Sequence, residues 1–469
     1  MNISSITRLT AALALTSAVA FGGDSHAIKV GKVITMAGEP IENGIVLIES
    51  GRITAVGPAS EIQIPWDAEV FEAPNLVAFP GQVEACTSQG MDRANESIDV
   101  APFLNVVDSV DPVNFFYEEM LRAGITTLNV QQGNSTVIAG RGMIVKPSGM
   151  TVAAMTVRPE AGIKIAITPK RGKSRAVQLM ILREAFAGLR RTLEGLVQEA
   201  NDGNDHARRE ALAQGRDFEA EDGKGRAMTG SGWIVEGLEA VPRASIDSKI
   251  LPLLAIVEGR ISVYMACSTP MDVLHGLEIA KENGFLAQTV LLLGPTCWKV
   301  SDEIKAAGVR GVILSSTLEH TERAPFAEED TVTVLPTHFA EKGIPFALAS
   351  QNSTTQSLWF QAARCVALGV DREVALAAIT SGPAEVIGLS SEVGTIEKGK
   401  HGNLVLLSGD PLSLQTQVRY VFIEGKLTYD RTTDTRLQHL MDGVQPEGTS
   451  ADEPVVEDIH EEERTAGDK

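Results

Sequence analysis

The sequence has few cysteines, and none in a recognisable pattern. Cys86, Cys267, Cys297 and Cys365 stand far apart, and no CxxC pair occurs. That excludes a zinc ribbon and a thioredoxin-like redox motif. Positive charge is also scarce: 41 Lys+Arg face 61 Asp+Glu, a formal net charge of −20. Sequence-independent nucleic-acid binding needs a basic footprint, so that class is excluded. Beyond the N-terminus no apolar run is long enough to span a bilayer. No GxGxxG opens a helix after the first strand, which weighs against a dinucleotide fold.

Hydrophobic residues make up 43% of 469 positions, enough for a sizeable core. The length suggests two structural units or one large barrel with additions. Residues 1–20 read as a signal peptide. Arg8 and the terminal amine give a positive start, Leu9 to Phe21 is an apolar run, and Ala18-Val19-Ala20 is a small-x-small cleavage site. The other reading is a short buried helix. The expectation is a periplasmic or secreted protein with a cleaved leader and no lipid-bearing Cys.

Residues 21–78 read as short strands with turns at Gly38/Pro40, Glu49-Ser50-Gly51 and Gly57-Pro58. Alternation at this spacing predicts a small β-sandwich or meander. From about residue 79 apolar runs alternate with helical stretches. Examples are Thr126 to Val130, Gly142 to Lys146, Ile163 to Ile167, Ile261 to Met265, Thr289 to Leu293, Gly311 to Leu314 and Pro345 to Ala349. Buried strands alternating with helices predict a parallel sheet, and about eight units across 79–396 favour a TIM (β/α)8 barrel. Residues 173–245 read as an insertion of two or three helices, broken at Asp202-Gly203-Asn204-Asp205. Residues 397–432 return to strands, with a hairpin turn at Glu424-Gly425. They are expected to complete the N-terminal strands as one composite β-sandwich. Residues 442–469 hold Asp452, Glu453, Glu457, Asp458, Glu461, Glu462, Glu463 and Asp468, and read as a disordered acidic tail. A solvating role is the main reading, with calcium or a partner as the other.

Several local patterns carry a resemblance. Glu49 to Pro58 reads ESGRITAVGP, and Phe79-Pro80-Gly81 opens the barrel region. Ala123-Gly124-Ile125-Thr126-Thr127 precedes the second strand, and Ile138 to Lys146 is a glycine-spaced strand. Thr380 to Leu389 reads TSGPAEVIGL, followed by Val393 to Lys400. In this order the patterns resemble the amidohydrolase superfamily, in particular an exported branch related to imidazolonepropionase. The resemblance covers nearly all of 28–430. It implies metal-assisted hydrolysis of non-peptide C–N bonds. His and Asp at the C-terminal ends of barrel strands would hold a divalent metal, zinc by precedent, that activates water.

The positions that the resemblance assigns to those ligands carry other residues. The first strand would read P-G-x-x-D-x-H-x-H; here Glu84 replaces the acid, and Cys86 and Ser88 replace the histidines. The strand 5 His falls at or near Ala266-Cys267-Ser268, with Ser268 as the matching position. The strand 6 His falls at Leu293, and the strand 8 Asp at Gln351. The eight histidines lie elsewhere, at 26, 206, 275, 320, 338, 401, 439 and 460, with His320 the one expected near the barrel mouth. Three readings of Cys86, Cys267 and Cys297 stay open: space-filling, a Cys267–Cys297 disulfide, and a thiolate metal site with His320. Cys365 reads as a core residue. Glu84 reads as a hydrogen-bond partner; Lys146 is at a strand end, but with no His to share a metal it is not expected to be a carbamylated ligand.

The leading expectation is a metal-depleted pseudo-amidohydrolase with no cofactor. It would bind a small-molecule ligand, or act as a partner to a paralogous amidohydrolase subunit or to its own copies. The alternative is an active hydrolase with a rebuilt site of Cys86, Cys267, Cys297, His320 or Glu84. A structural envelope protein is a third class.

Overall fold

The computed structural model describes residues 25–215, 234–323, 329–350 and 357–442. The leader segment, residues 216–233 of the insertion, Gln351 and the acidic tail beyond residue 442 lie outside the described residues. The chain divides into two compact units, Met1–Tyr429 and Asp430–Lys469. In the second, the described part is a turn at Arg431–Thr433 and a helix at Thr435–Asp442.

The first unit begins with β1 (Ser25–Val33), β2 (Ile41–Glu42), β3 (Gly44–Glu49), β4 (Arg52–Pro58) and β5 (Glu69–Pro80). The β3–β4 turn is Ser50-Gly51, both with positive φ (50° and 80°). That backbone matches the twist of paired strands and needs residues that tolerate the left-handed region. At Gly81 the chain leaves this sheet for the barrel. A Cβ there would lie 2.1 Å from Thr126 Oγ1, so only glycine lets the two segments approach.

The barrel strands are β6 (Gln82–Thr87), β7 (Ile125–Val130), β8 (Ile138–Val145), β9 (Thr156–Ala166), β10 (Val263–Cys267), β11 (Thr289–Leu293) and β12 (Gly311–Leu314). A side hairpin of β13 (Glu319–Glu322) and β14 (Thr331–Val334) follows, and then β15 (Phe346–Leu348). They run β6-β7-β8-β9-β10-β11-β12-β15 around the sheet. Strands occur at each of the seven apolar runs named from the sequence, but the uniform parallel arrangement does not hold. β8 is antiparallel to both β7 and β9. Only residues 131–137 separate β7 from β8, too few for a helical crossover, so the chain can only turn back. This reversal also moves Lys146. It follows the end of a reversed strand, away from the C-terminal ends of the others, and its Nζ donates to Glu424 Oε2 at 2.6 Å. The ion pair with Glu424 agrees with the expectation that Lys146 is not a carbamylated ligand.

β15 and β6 are not paired as strands, so the barrel is nearly closed. The seam is bridged by residues 378–379. Val83 N donates to Ile379 O (3.1 Å) and Leu348 N to Ala378 O (2.9 Å). Val83, Ala85, Tyr264, Val290, Leu292, Ile313 and Ala347 pack inside with Ile387, Leu389 and Val393 from beyond the last barrel strand. The outward faces of the strands pack in a second, larger core with residues of the surrounding helices.

A helix at Arg175–Ala213 replaces the broken helices expected in the insertion. It passes straight through Asp202-Gly203-Asn204-Asp205. These residues are mostly exposed, and each costs the helix at most about 1 kcal/mol. Ending the helix and nucleating another would cost more.

Three last strands, β16 (Leu404–Leu407), β17 (Val418–Ile423) and β18 (Lys426–Asp430), return to the first sheet. β16 pairs antiparallel with β5, Phe79 facing Val405. One eight-stranded sheet results, in the order β18-β17-β16-β5-β1-β3-β4 with β2 beside β1. The two ends of the chain thus build a single sheet. Glu424 and Gly425 both have positive φ (52° and 79°) and make the last hairpin turn.

Candidate functional site

A cavity of about 660 Å³ opens at the C-terminal ends of the parallel barrel strands. Cys86, Ser88, Ser268 and Leu293, the positions read as substituted ligands, all line it. They come from the ends of β6, β10 and β11, as the sequence expectation requires. Gln351 lies outside the described residues.

The thiols do not converge, and period-two alternation along the strands explains why. On β10, Tyr264 belongs to the barrel interior, whereas Met265 and Cys267 belong to the outer core. Cys267 Sγ lies 3.8 Å from where a Cβ on Gly276 would sit, on the helix outside. Cys297 is also in the outer core, and its Sγ donates to the carbonyl of Cys267 at 3.4 Å. All four cysteines are free and buried. The proposed Cys267–Cys297 disulfide is therefore not formed, and Cys86 alone points its thiol inward. His320 lies in the β13–β14 hairpin, opposite Thr333, and is not among the residues lining the cavity. On β11 the inward residue is Leu292, one position before the Leu293 read from the sequence.

Sequence reading passed over Lys164. It stands between Ile163 and Ile165, which face the outer core, so alternation turns it inward beside its register partner Tyr264. It is only 5% exposed, and its Nζ donates to the backbone carbonyl of Gln132 at 2.9 Å. Gln132 is held in turn, its side-chain oxygen accepting from Gly140 N at 2.7 Å. The available signal was a lysine inside an otherwise apolar strand run.

Glu84 closes the upper seam. Its Oε2 accepts from Ser350 N (3.0 Å) and Ser350 Oγ (2.6 Å), and its Oε1 from Cys86 N (3.3 Å). It ties β6 to the end of β15 where the strands themselves do not pair. Complete burial pushes its carboxyl up to about 7, against the lowering effect of those hydrogen bonds. Ser268 is fixed from below by Asp272, whose carboxylate is fully buried. Asp272 Oδ2 accepts from Ser268 N (3.2 Å), Thr269 N (3.0 Å) and Thr168 Oγ1 (2.9 Å). Its Oδ1 accepts from Arg175 Nε (3.1 Å) and Nη2 (2.9 Å). With Thr269 it forms a capping box at the start of the helix Pro270–Glu282.

This donor set does not fit the divalent metal that the resemblance implies. Thiolate, not thiol, binds metal, and burial pushes the Cys86 thiol up, only partly offset by Lys164. Burial raises the Cys297 thiol to about 12 and lifts that of Cys267 well above its ordinary value. Ser88, Ser268, Leu292 and Leu293 offer nothing that zinc selects. Among the described residues, no three His, Cys, Asp or Glu side chains come together as a metal cage.

Comparison with known proteins gives a consistent picture. A family model described as "Amidohydrolase family" matches residues 347–429. Amidohydrolase tasK of Hapsidospora irregularis is 22% identical over 428 residues, 82% of this chain and 40% of that protein. N-substituted formamide deformylase of Arthrobacter pascens is 32% identical over 111 residues, 20% of each chain. The chain thus spans less than half the length of either curated relative. A crystal structure of an amidohydrolase from Thermotoga maritima MSB8 superposes with a TM-score of 0.67 at 21% identity. It covers 86% of this chain and 100% of that one. The chain therefore shares the fold of the Thermotoga amidohydrolase, and its amidohydrolase family match is confined to residues 347–429.

Proposed function

We propose that this chain is an amidohydrolase-fold protein that binds a small molecule at its barrel mouth without metal-dependent hydrolysis. The single observation that carries the reading is the cavity lining itself. Cys86, Ser88, Ser268 and a leucine pair stand at the ends of three strands, around one buried lysine. One substitution at a ligand position is compatible with drift, but the same loss on three separate strands removes the coordination chemistry as a whole. The finer placement in an exported branch related to imidazolonepropionase rests on the sequence patterns quoted above. Export rests on the leader-like N-terminus; among the described residues no helix is long and apolar enough to cross a membrane. A role beside an active amidohydrolase subunit belongs to the same proposal. The rebuilt-site alternative is less well supported, because only Cys86 and Cys267 of its residues line the cavity, and Cys267 is packed in the outer core.

Zinc titration of the metal-free full chain tests this reading. Adding a stoichiometric amount of zinc is expected to leave the thermal midpoint unchanged. A site that bound zinc with useful affinity would raise stability by mass action, roughly 3 kcal/mol at a hundredfold excess over the dissociation constant. A saturable rise at one zinc per chain would overturn the proposal.

A further inference from the structure

We infer that the barrel mouth is a receptor site for a small organic monocarboxylate, recognised by the ammonium of Lys164. The inference rests on the ligand-binding reading above and names the chemical class of the ligand. Lys164 is 95% buried, the complement of its 5% exposure, and it lines the cavity. An ammonium has three donors. One goes to the Gln132 carbonyl, and among the described residues no carboxylate pairs with Lys164. Glu84 is turned into the seam and occupied by Ser350 and Cys86. Asp92, the acid among the lining residues, is exposed at the rim. A buried charge without a counter-charge costs several kcal/mol, and an anion entering the cavity would relieve that cost.

The surroundings define the rest of the ligand. Among the described residues Lys164 is the only basic side chain lining the cavity, so a single negative charge is matched. A phosphate dianion would leave one charge uncompensated and would pass Asp92. Met91, Leu292 and Pro295 offer an apolar wall for a carbon skeleton, while Ser88, Asn95 and Ser268 offer polar groups beside it. The volume of about 660 Å³ suits a small organic molecule rather than a polymer.

Titration calorimetry on the full chain tests this with benzoate and hexanoate, their neutral amides benzamide and hexanamide, and inorganic phosphate. At least one acid is expected to bind at one per chain, with its amide and phosphate each at least about tenfold weaker. Lys164→Met is expected to lose about tenfold or more in affinity for that acid. Absence of binding by both acids, equal affinity for acid and amide, or tighter binding of phosphate would overturn the inference. So would a folded Lys164→Met protein that binds the acid as well as the parent does. If that variant does not fold, the acid-to-amide ratio of the parent protein decides. Zinc uptake with acid selectivity intact would overturn the metal-free reading alone. A metal-free protein without acid selectivity would overturn this inference alone.

Discussion

Asp272→Ala is expected to destabilise the first unit by about 3 kcal/mol, measured as a shift of the denaturant midpoint at constant slope. The carboxylate is fully buried and accepts from five donors on four residues: Thr168, Arg175, Ser268 and Thr269. Removing it leaves Thr269 N without its acceptor and the Arg175 guanidinium without its counter-charge, whereas Ser268 N and the Thr168 hydroxyl keep each other at 2.8 Å. Arg175 is 36% exposed and can turn to water, which keeps the figure below that for a fully buried pair. Asp272→Asn keeps one acceptor and is expected to lose about half as much. A loss below about 0.5 kcal/mol for the alanine variant would show that the carboxylate does not hold the mouth together.

The second large effect depends on pH. The Glu84 carboxyl lies at about 7 in the folded chain because burial opposes its charge, against 4.5 as its ordinary value. Its folded state therefore binds the proton more tightly than the unfolded state does. The stabilisation is complete below about 4.5 and is lost as pH rises towards and through about 7. The contribution of this one group is on the order of 3 kcal/mol across that window. Glu84→Gln is expected to flatten this part of the stability profile, with its largest relative benefit above pH 7. Denaturant melts of both proteins between pH 5 and 8 check this. Parallel profiles would show that Glu84 does not titrate in this range.

Much of the fold was legible in the sequence because its signals are local. The turn pairs Ser50-Gly51 and Glu424-Gly425 fix hairpins through their own backbone preferences, and the apolar runs mark strands wherever burial is two-sided. The reversal of β8 was less visible, since the run Ile138 to Val145 has the same composition in either direction. Only the short connection before it carries the information. The continuous helix through Asp202-Gly203-Asn204-Asp205 was missed because local propensity outweighed cooperativity in the reading.

At the site, strand ends were placed to within a residue, but side-chain direction was not. Cys267 and Leu293 pack in the outer core even though both reach the cavity lining; Ser268 stands at the mouth as read, and the inward residue on β11 is Leu292, not Leu293. A slip of one residue on a strand changes the face, which is why three thiols that share an end of the barrel do not share a site. Lys164 was hidden by its flanking isoleucines, although a lysine in a two-sided buried strand is costly enough to signal a purpose.

The most direct measurement is the metal content of the purified full chain, prepared without chelator and in the presence of ample zinc. Elemental analysis is expected to find far less than one tightly held divalent metal per chain after desalting. About one zinc per chain that survives desalting would contradict the reading of the barrel mouth as a metal-free binding site.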